Sequence, residues 1–202
     1  MAKIGVLGGS FHPFHIGHLQ LGQYCLENHI VDEVWFIPTG ISYLKKNINM
    51  LSGEDRLHLL ELGIQGMSNM RALDIEIKRE GNTYTYETLE ELKENFPEHE
   101  FFFIIGADCL FTIEKWFHAE RIFAASTLLA AKRDGKTQKA MKAKALELKE
   151  RYNAKIKLID FPEMNISSTE IRERIKAGKD IVDLVPKLEA QEIIQKGYFK
   201  SV

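Results

Sequence analysis

Ile4-Gly-Val-Leu-Gly-Gly-Ser-Phe-His-Pro-Phe-His-Ile-Gly-His18 places an apolar run, a glycine turn and the pair His15 and His18 directly ahead of a helical pattern. The run Ile4 to Leu7 is short and apolar throughout, which suits a parallel strand buried on both faces. Gly8 and Gly9 end it. Without Cβ atoms they let the backbone turn sharply and bring main-chain N–H groups against a ligand, as phosphate-binding loops require. Pro13 stiffens the loop, and Gly17 lets it pass closely into a helix over residues 16 to 28. The free amides and the dipole of that helix favour an anion over the strand end. His15 and His18 are three residues apart, so a helical first turn faces them the same way, and two ring N–H donors there suit phosphate oxygens. The competing readings are a strand-to-helix turn with incidental histidines, or a zinc site on His12, His15 and His18. Zinc prefers four ligands, and the run holds no Cys or carboxylate to complete the set.

A chain of 202 residues suits one α/β domain with a full core. A hydrophobic fraction of 45%, a charged fraction of 28% and a net charge of −2 leave no broad basic surface for nucleic acid or membrane. Any phosphate site must then be a local patch. Two cysteines, Cys25 and Cys109, are too few for a disulfide frame or a thiolate metal site and read as small buried hydrophobes. The first apolar run is too short for a signal peptide, and no stretch approaches the roughly 20 apolar residues of a membrane span. A cytoplasmic enzyme is expected, while oligomeric state is not legible.

Strand patterns recur at 4–7, 34–38, 72–77, 101–106, 127–131 and 156–159, with helical patterns between most of them. That alternation predicts a doubly wound parallel sheet. Leu73, Ile75 and Ile77 alternate with charges, predicting a strand with one solvated face near an edge. Phe101 to Ile105 is the most apolar run and is placed at the centre. Ser52 is expected to cap a helix to about residue 67, with Leu57, Leu60 and Ile64 as its apolar stripe. Thr85 is expected to cap a helix over 86–95. Asp108, just past the central strand, suits either a helix cap or a ribose hydroxyl. The irregular stretch 39–51, with Lys45 and Lys46, lies where α/β ligands bind. Ser167 and Glu170 form a capping box for a helix to about residue 177, and Arg172 adds a planar fork suited to phosphate. Pro186 opens a last helix to about residue 196.

The run Gly8-Gly-Ser-Phe-x-Pro-x-His-x-Gly-His18 resembles the signature of the nucleotidyltransferase superfamily, and closely that of the bacterial nicotinate mononucleotide adenylyltransferases. Thr83-Tyr-Thr-x-Glu-Thr-Leu89, the phrase from Gly106-Ala-Asp108 to Trp116, and Ile166-Ser-Ser-Thr-x-Ile-Arg172 resemble the family's further segments, in the same order over nearly the whole chain. The resemblance implies an α/β, Rossmann-like nucleotidyltransferase fold in one domain, 1–202, with 160–202 as a helical C-terminal part carrying the second phosphate-binding motif. It implies adenylyl transfer from ATP to nicotinate mononucleotide, giving nicotinate adenine dinucleotide and pyrophosphate on the way to NAD. His15, His18 and Arg172 are then the catalytic residues, with His18 and Arg172 on the β,γ-phosphates and His15 on the α-phosphate. ATP falls to Gly8, Gly9, Ser10, Phe11, Gly17, Gly106, Asp108, Ile166, Ser167, Ser168 and Thr169, and the acceptor to Lys45, Thr85, Trp116, Phe117 and Arg133. Mg2+ is expected with the triphosphate, without a carboxylate cage on the protein.

Two positions depart from the family's pattern. His12 stands where Asp or Asn is usual, beside the expected triphosphate site. Ser42-Tyr-Leu-Lys45 stands where Pro-Pro-His-Lys is usual, in a loop tied to the acceptor. Nicotinamide mononucleotide, phosphopantetheine or another phosphate as acceptor, and a nucleotide-binding protein with impaired catalysis, are the competing expectations.

Overall fold

Strands β1 (Lys3–Gly9), β2 (Glu33–Pro38), β4 (Met70–Ala72), β6 (Glu100–Gly106), β7 (Thr127–Ala131) and β8 (Ile156–Ile159) form one sheet in the order β4-β2-β1-β6-β7-β8. The computed structural model describes residues 1–42, 50–132, 137–162 and 164–200. β1 pairs in parallel with β6, β6 with β7, and β7 with β8. The order reverses between β1 and β6, which is the switch point at which doubly wound sheets bind ligands. β6 is interior, as its unbroken Phe101 to Ile105 run requires, and β4 is an edge. A second, two-stranded parallel pair, β3 (Ile41–Ser42) with β5 (Asn82–Thr83), has no signal in the sequence.

The helices are α1 (Ile16–Glu27), α2 (Gly53–Gly63), α3 (Thr85–Asn95), α4 (Ala107–Thr112), α5 (Ala119–Ala125), α6 (Gln138–Tyr152), α7 (Ser168–Lys176) and α8 (Lys187–Lys196). None of the described helices is long and apolar enough to cross a membrane.

The chain divides into two compact units. The first comprises Met1–Leu7, Cys25–Val34 and Tyr84–Met164, and the second Gly8–Tyr24, Trp35–Thr83 and Asn165–Val202. In the first, Ile4, Val6 and the runs of β6 and β7 are buried, and the missing side chain of Gly5 is filled by Ile104 Cδ1, 2.9 Å from where a Cβ would stand. Cys25 is buried and its thiol is pushed up to about 12 by desolvation, whereas Cys109 is half-buried. In the second, Leu59 of α2 packs with Ile171 of α7, with Ala190 and Ile193 of α8, and with Phe199, so the C-terminal helices share one apolar cluster with α2.

Local expectations needed correction at four places, one being that α2 ends at Gly63, short of residue 67. The strand predicted over 72–77 is three residues, Met70–Ala72; beyond Leu73, whose N–H donates to Phe36 O, the chain turns, closed by Lys78 N–H to Asp74 O. The alternation there reflects individual burial, for Glu76 is buried and Ile77 packs against Gly53. Thr85 is the first residue of α3, and Tyr84 is its cap with no side-chain hydrogen bond. Gly106 occupies the cap position of α4, which places Asp108 in the first turn. By contrast, Ser52 caps α2 by accepting from Asp55 N–H, and Ser167 caps α7 by accepting from Glu170 N–H.

Candidate active site

In the second unit the loop from Gly8 to His18 folds around an aromatic cluster. Phe11 holds a left-handed backbone (φ +42°) and is 1% exposed, with its ring edge-on to Phe14, His18 and Phe36. A Cβ on Gly9 would stand 3.0 Å from that ring, and one on Gly17 would stand 3.1 Å from the ring of His15. The glycines therefore make room for the loop's own rings, a different use from the ligand approach their type suggests.

His15 and His18 face the same way, their rings stacked at 3.6 Å between centroids. His15 is buried and His18 half-buried. The main-chain N–H of His15 donates to His18 Nδ1 at 3.3 Å. With Nδ1 accepting, the neutral His18 ring carries its proton on Nε2, which is thereby a donor.

The late motif meets this loop within the same unit. Arg172 Nη1 donates to His12 O at 2.7 Å and Nη2 to Thr169 Oγ1 at 3.2 Å, while Ser168 Oγ donates to Pro13 O at 2.9 Å. Two segments separated by more than 150 residues are thus joined by hydrogen bonds at the start of α7, beside its unsatisfied amides. Ile166 packs on the C-terminal cluster. His12 does not join the other two imidazoles as a ligand: its Nε2 accepts Leu51 N–H at 2.9 Å and its ring lies edge-on to Phe199.

A residue that the sequence did not single out holds the loop's path. Arg56 of α2, 3% exposed, donates to Ser10 O (2.8 Å), Thr39 O (2.7 Å) and Leu51 O (3.3 Å). Thr39 N–H in turn donates to Gly9 O at 2.8 Å. Burial lowers the pKa of Arg56, opposed by nearby Glu76, and lowers that of Arg172, opposed by Glu173. Both guanidinium groups remain charged, since arginine starts so far above neutrality. The one signal for Arg56 was its place three residues before Leu59 on the buried face of α2, where a charge is out of pattern.

The first unit carries the other expected residues. Trp116 is half-buried and meets Phe103 edge-on at 6.2 Å. Phe117 is 52% exposed, with Tyr84 at 5.0 Å and His118 at 4.8 Å between centroids. Tyr86 lies under the guanidinium of Arg121, 4.2 Å from the ring centroid, and Arg121 is bound by Glu90. Tyr84, Tyr86, Phe117 and His118 thus form an aromatic ledge beside Thr85; the Thr-Tyr-Thr-Tyr alternation was its sequence signal. Gly106 ends β6, and the exposed Asp108 follows in the first turn of α4. Lys45 and Arg133 lie outside the described residues, as does most of the altered 42–45 loop.

The family model described as cytidylyltransferase-like matches residues 6–174. The chain is 40% identical over 199 residues, 98% of its length and all of the relative's, to a probable nicotinate-nucleotide adenylyltransferase of Lachnoclostridium phytofermentans. It is 37% identical over 202 residues to a relative of the same description in Halalkalibacterium halodurans, covering all of this chain and 93% of that one. Among solved structures it resembles Plasmodium falciparum nicotinic acid mononucleotide adenylyltransferase complexed with NaAD, with a TM-score of 0.79 and 98% of each chain covered. At 22% identity that likeness shows the shared fold.

Proposed function

We infer, since the chain belongs to the nicotinate-nucleotide adenylyltransferases of the cytidylyltransferase-like family, that it transfers the adenylyl group of ATP to nicotinate mononucleotide. The products are nicotinate adenine dinucleotide and pyrophosphate, a step of NAD biosynthesis. A phosphate oxygen of the mononucleotide attacks the α-phosphorus of ATP; the new P–O bond forms as the bond to the β-phosphate breaks. The incoming phosphate is itself the nucleophile, so the protein's task is alignment and the stabilisation of developing charge.

The observation that carries the site assignment is the tie of Arg172 to His12 O, which sets the late motif against the loop of His15 and His18. In this reading His18 offers Nε2–H to the β,γ-phosphates together with Arg172, and His15 faces the α-phosphate. The amides opening α7 add donors, with Ser167, Ser168 and Thr169 around them. Gly106 and Asp108 take the nucleoside of ATP, and Thr85, Trp116 and Phe117 take the pyridine and its carboxylate. Among the described residues no group of three or more His, Cys, Asp or Glu is placed to hold a metal. Mg2+ is proposed to arrive on the triphosphate, held by phosphate oxygens and water, where it would neutralise charge on the leaving pyrophosphate. The family model spans residues 6–174 and so runs through both compact units, which supports reading them as one domain; the enzyme is proposed to work in the cytoplasm.

A pyrophosphate-release assay with ATP, Mg2+ and nicotinate mononucleotide, nicotinamide mononucleotide or phosphopantetheine tests the whole reading. The highest kcat/KM is expected with nicotinate mononucleotide. A higher value with another acceptor, or no turnover with any, overturns it.

A further inference from the structure

Glu189 of α8 has no exposed surface, and among the described residues neither of its oxygens makes a well-formed hydrogen bond. It fills a notch in α2: a Cβ on Gly63 would stand 2.9 Å from Glu189 Oε2 and 2.9 Å from the ring of Phe14. Glycine inside a helix is disfavoured, and here its missing side chain is the space the carboxyl occupies. Three pieces of the second unit thus converge on one point, α2, α8 and the residue preceding His15. Phe14 in turn lies stacked on His18, 5.5 Å between centroids at 20°, and edge-on to Phe11 and Phe36.

Burial holds the Glu189 carboxyl well above the usual carboxylate range, and the Phe14 main-chain N–H only partly opposes it. Among the described residues no charged neighbour contributes. On α2, Arg56 is committed to three carbonyls and Asp55 to Tyr198 and Ser52, while His58 pairs with Glu192 of α8 at 3.5 Å. Glu61 of α2 and Lys187 and Lys196 of α8 are exposed, and on the loop the titratable groups are His12, His15 and His18. A carboxylate in that notch would have to draw in water or leave it.

We propose that Glu189 is a positioning residue: its protonated carboxyl seats Phe14 against Gly63 and, through Phe14, holds His18 in its phosphate-facing pose, so that turnover requires this proton. The role rests on the assignment of His18 above, but its effect on folding does not. The unfolded chain releases the Glu189 proton in the ordinary carboxylate range, whereas the folded chain keeps it to a higher pH. The stability contributed by the protonated form is full below the unfolded value, falls as pH climbs above it, and is gone once the folded pKa is passed.

The test compares the natural protein with Glu189→Gln, which keeps the shape without the titration. Melting without substrate is followed from pH 5 to 9, and kcat from pH 6 to 10. The Tm of E189Q relative to the natural protein should rise with pH. The natural protein should lose kcat on the alkaline side at roughly tenfold per pH unit, a limb that E189Q lacks. A Tm difference independent of pH overturns the protonation claim, and a limb shared by both proteins overturns the positioning role. Glu189→Met serves the same comparison where the amide does not fold, and His18→Ala run alongside shows whether the assignment of His18 has itself failed.

Discussion

Arg56 and Arg172 of the second unit are spent differently from Arg121 of the first. In the second, Arg56 and Arg172 turn buried or half-buried guanidinium groups onto main-chain carbonyls of the loop (Ser10, His12) and of segments beside it (Thr39, Leu51), at 2.7 to 3.3 Å. In the first, Arg121 is 44% exposed, pairs with Glu90 and covers the ring of Tyr86. A buried cation on carbonyls fixes the path of a backbone, because each carbonyl it leaves is a desolvated acceptor with no replacement. An exposed ion pair gives up to water nearly what it gained. The loop from Gly8 to His18 is therefore built as a fixed frame, and the aromatic ledge as an open surface.

Arginine removal gives the largest expected difference between the two. Arg56→Ala strands three carbonyls at about 1–3 kcal/mol each. Those costs are not additive, and a loss of about 3–5 kcal/mol, as for one partner of a buried pair, is expected in urea unfolding. Arg121→Ala should cost about 0–1 kcal/mol in the same measurement. Equal losses would break the contrast.

Next in size is His18→Ala. Deleting a donor aimed at developing charge typically raises the barrier by about 2.7–4 kcal/mol. The expectation is a kcat lower by about 10²–10³ with a modest change in KM for ATP, measured by pyrophosphate release. Unchanged kcat would remove His18 from the mechanism while leaving the fold of the loop intact.

This loop and the start of α7 were legible because their residue types are chemically narrow: glycines and two histidines at helical spacing in the loop, and a Ser/Glu cap on the helix, all restrict what the backbone can do. Arg56 was not legible, since an arginine on a helix reads as solvated until the carbonyls around it are known. The short β4 was overread for a related reason. Leu73, Ile75 and Ile77 alternate as a strand would, yet Glu76 is the residue buried there and Gly40 N–H approaches its carboxylate at 3.4 Å. Tertiary contacts decided burial one residue at a time, and no local period records that. Phe11 taught the same about glycine: the residue type was read correctly, and the atom filling its empty side-chain space was not.

Ser167→Ala sharpens the frame at smaller scale. Its hydroxyl accepts Glu170 N–H at 3.2 Å, and loss of such a cap costs about 0.5–2 kcal/mol. The fall should appear in urea unfolding, with kcat/KM for ATP lowered if the amides of α7 serve the phosphates. A loss of stability alone would confine Ser167 to capping.

The smallest expected effects lie on the open surface, and they separate two neighbouring rings. The resemblance assigns the pyridine stack to Trp116, which is half-buried against Phe103, whereas Phe117 is the more exposed ring. A stacked ring contributes about 0.5–1.5 kcal/mol, so losing it should raise KM for nicotinate mononucleotide by roughly two- to twelvefold with KM for ATP unchanged. Trp116→Ala should do so and also lower the melting temperature, because its contact with Phe103 is lost as well. Phe117→Ala removes an exposed ring and should leave the melting temperature in place. If Phe117→Ala alone raises the acceptor KM, the stack belongs to the exposed ring and Trp116 is the wall behind it.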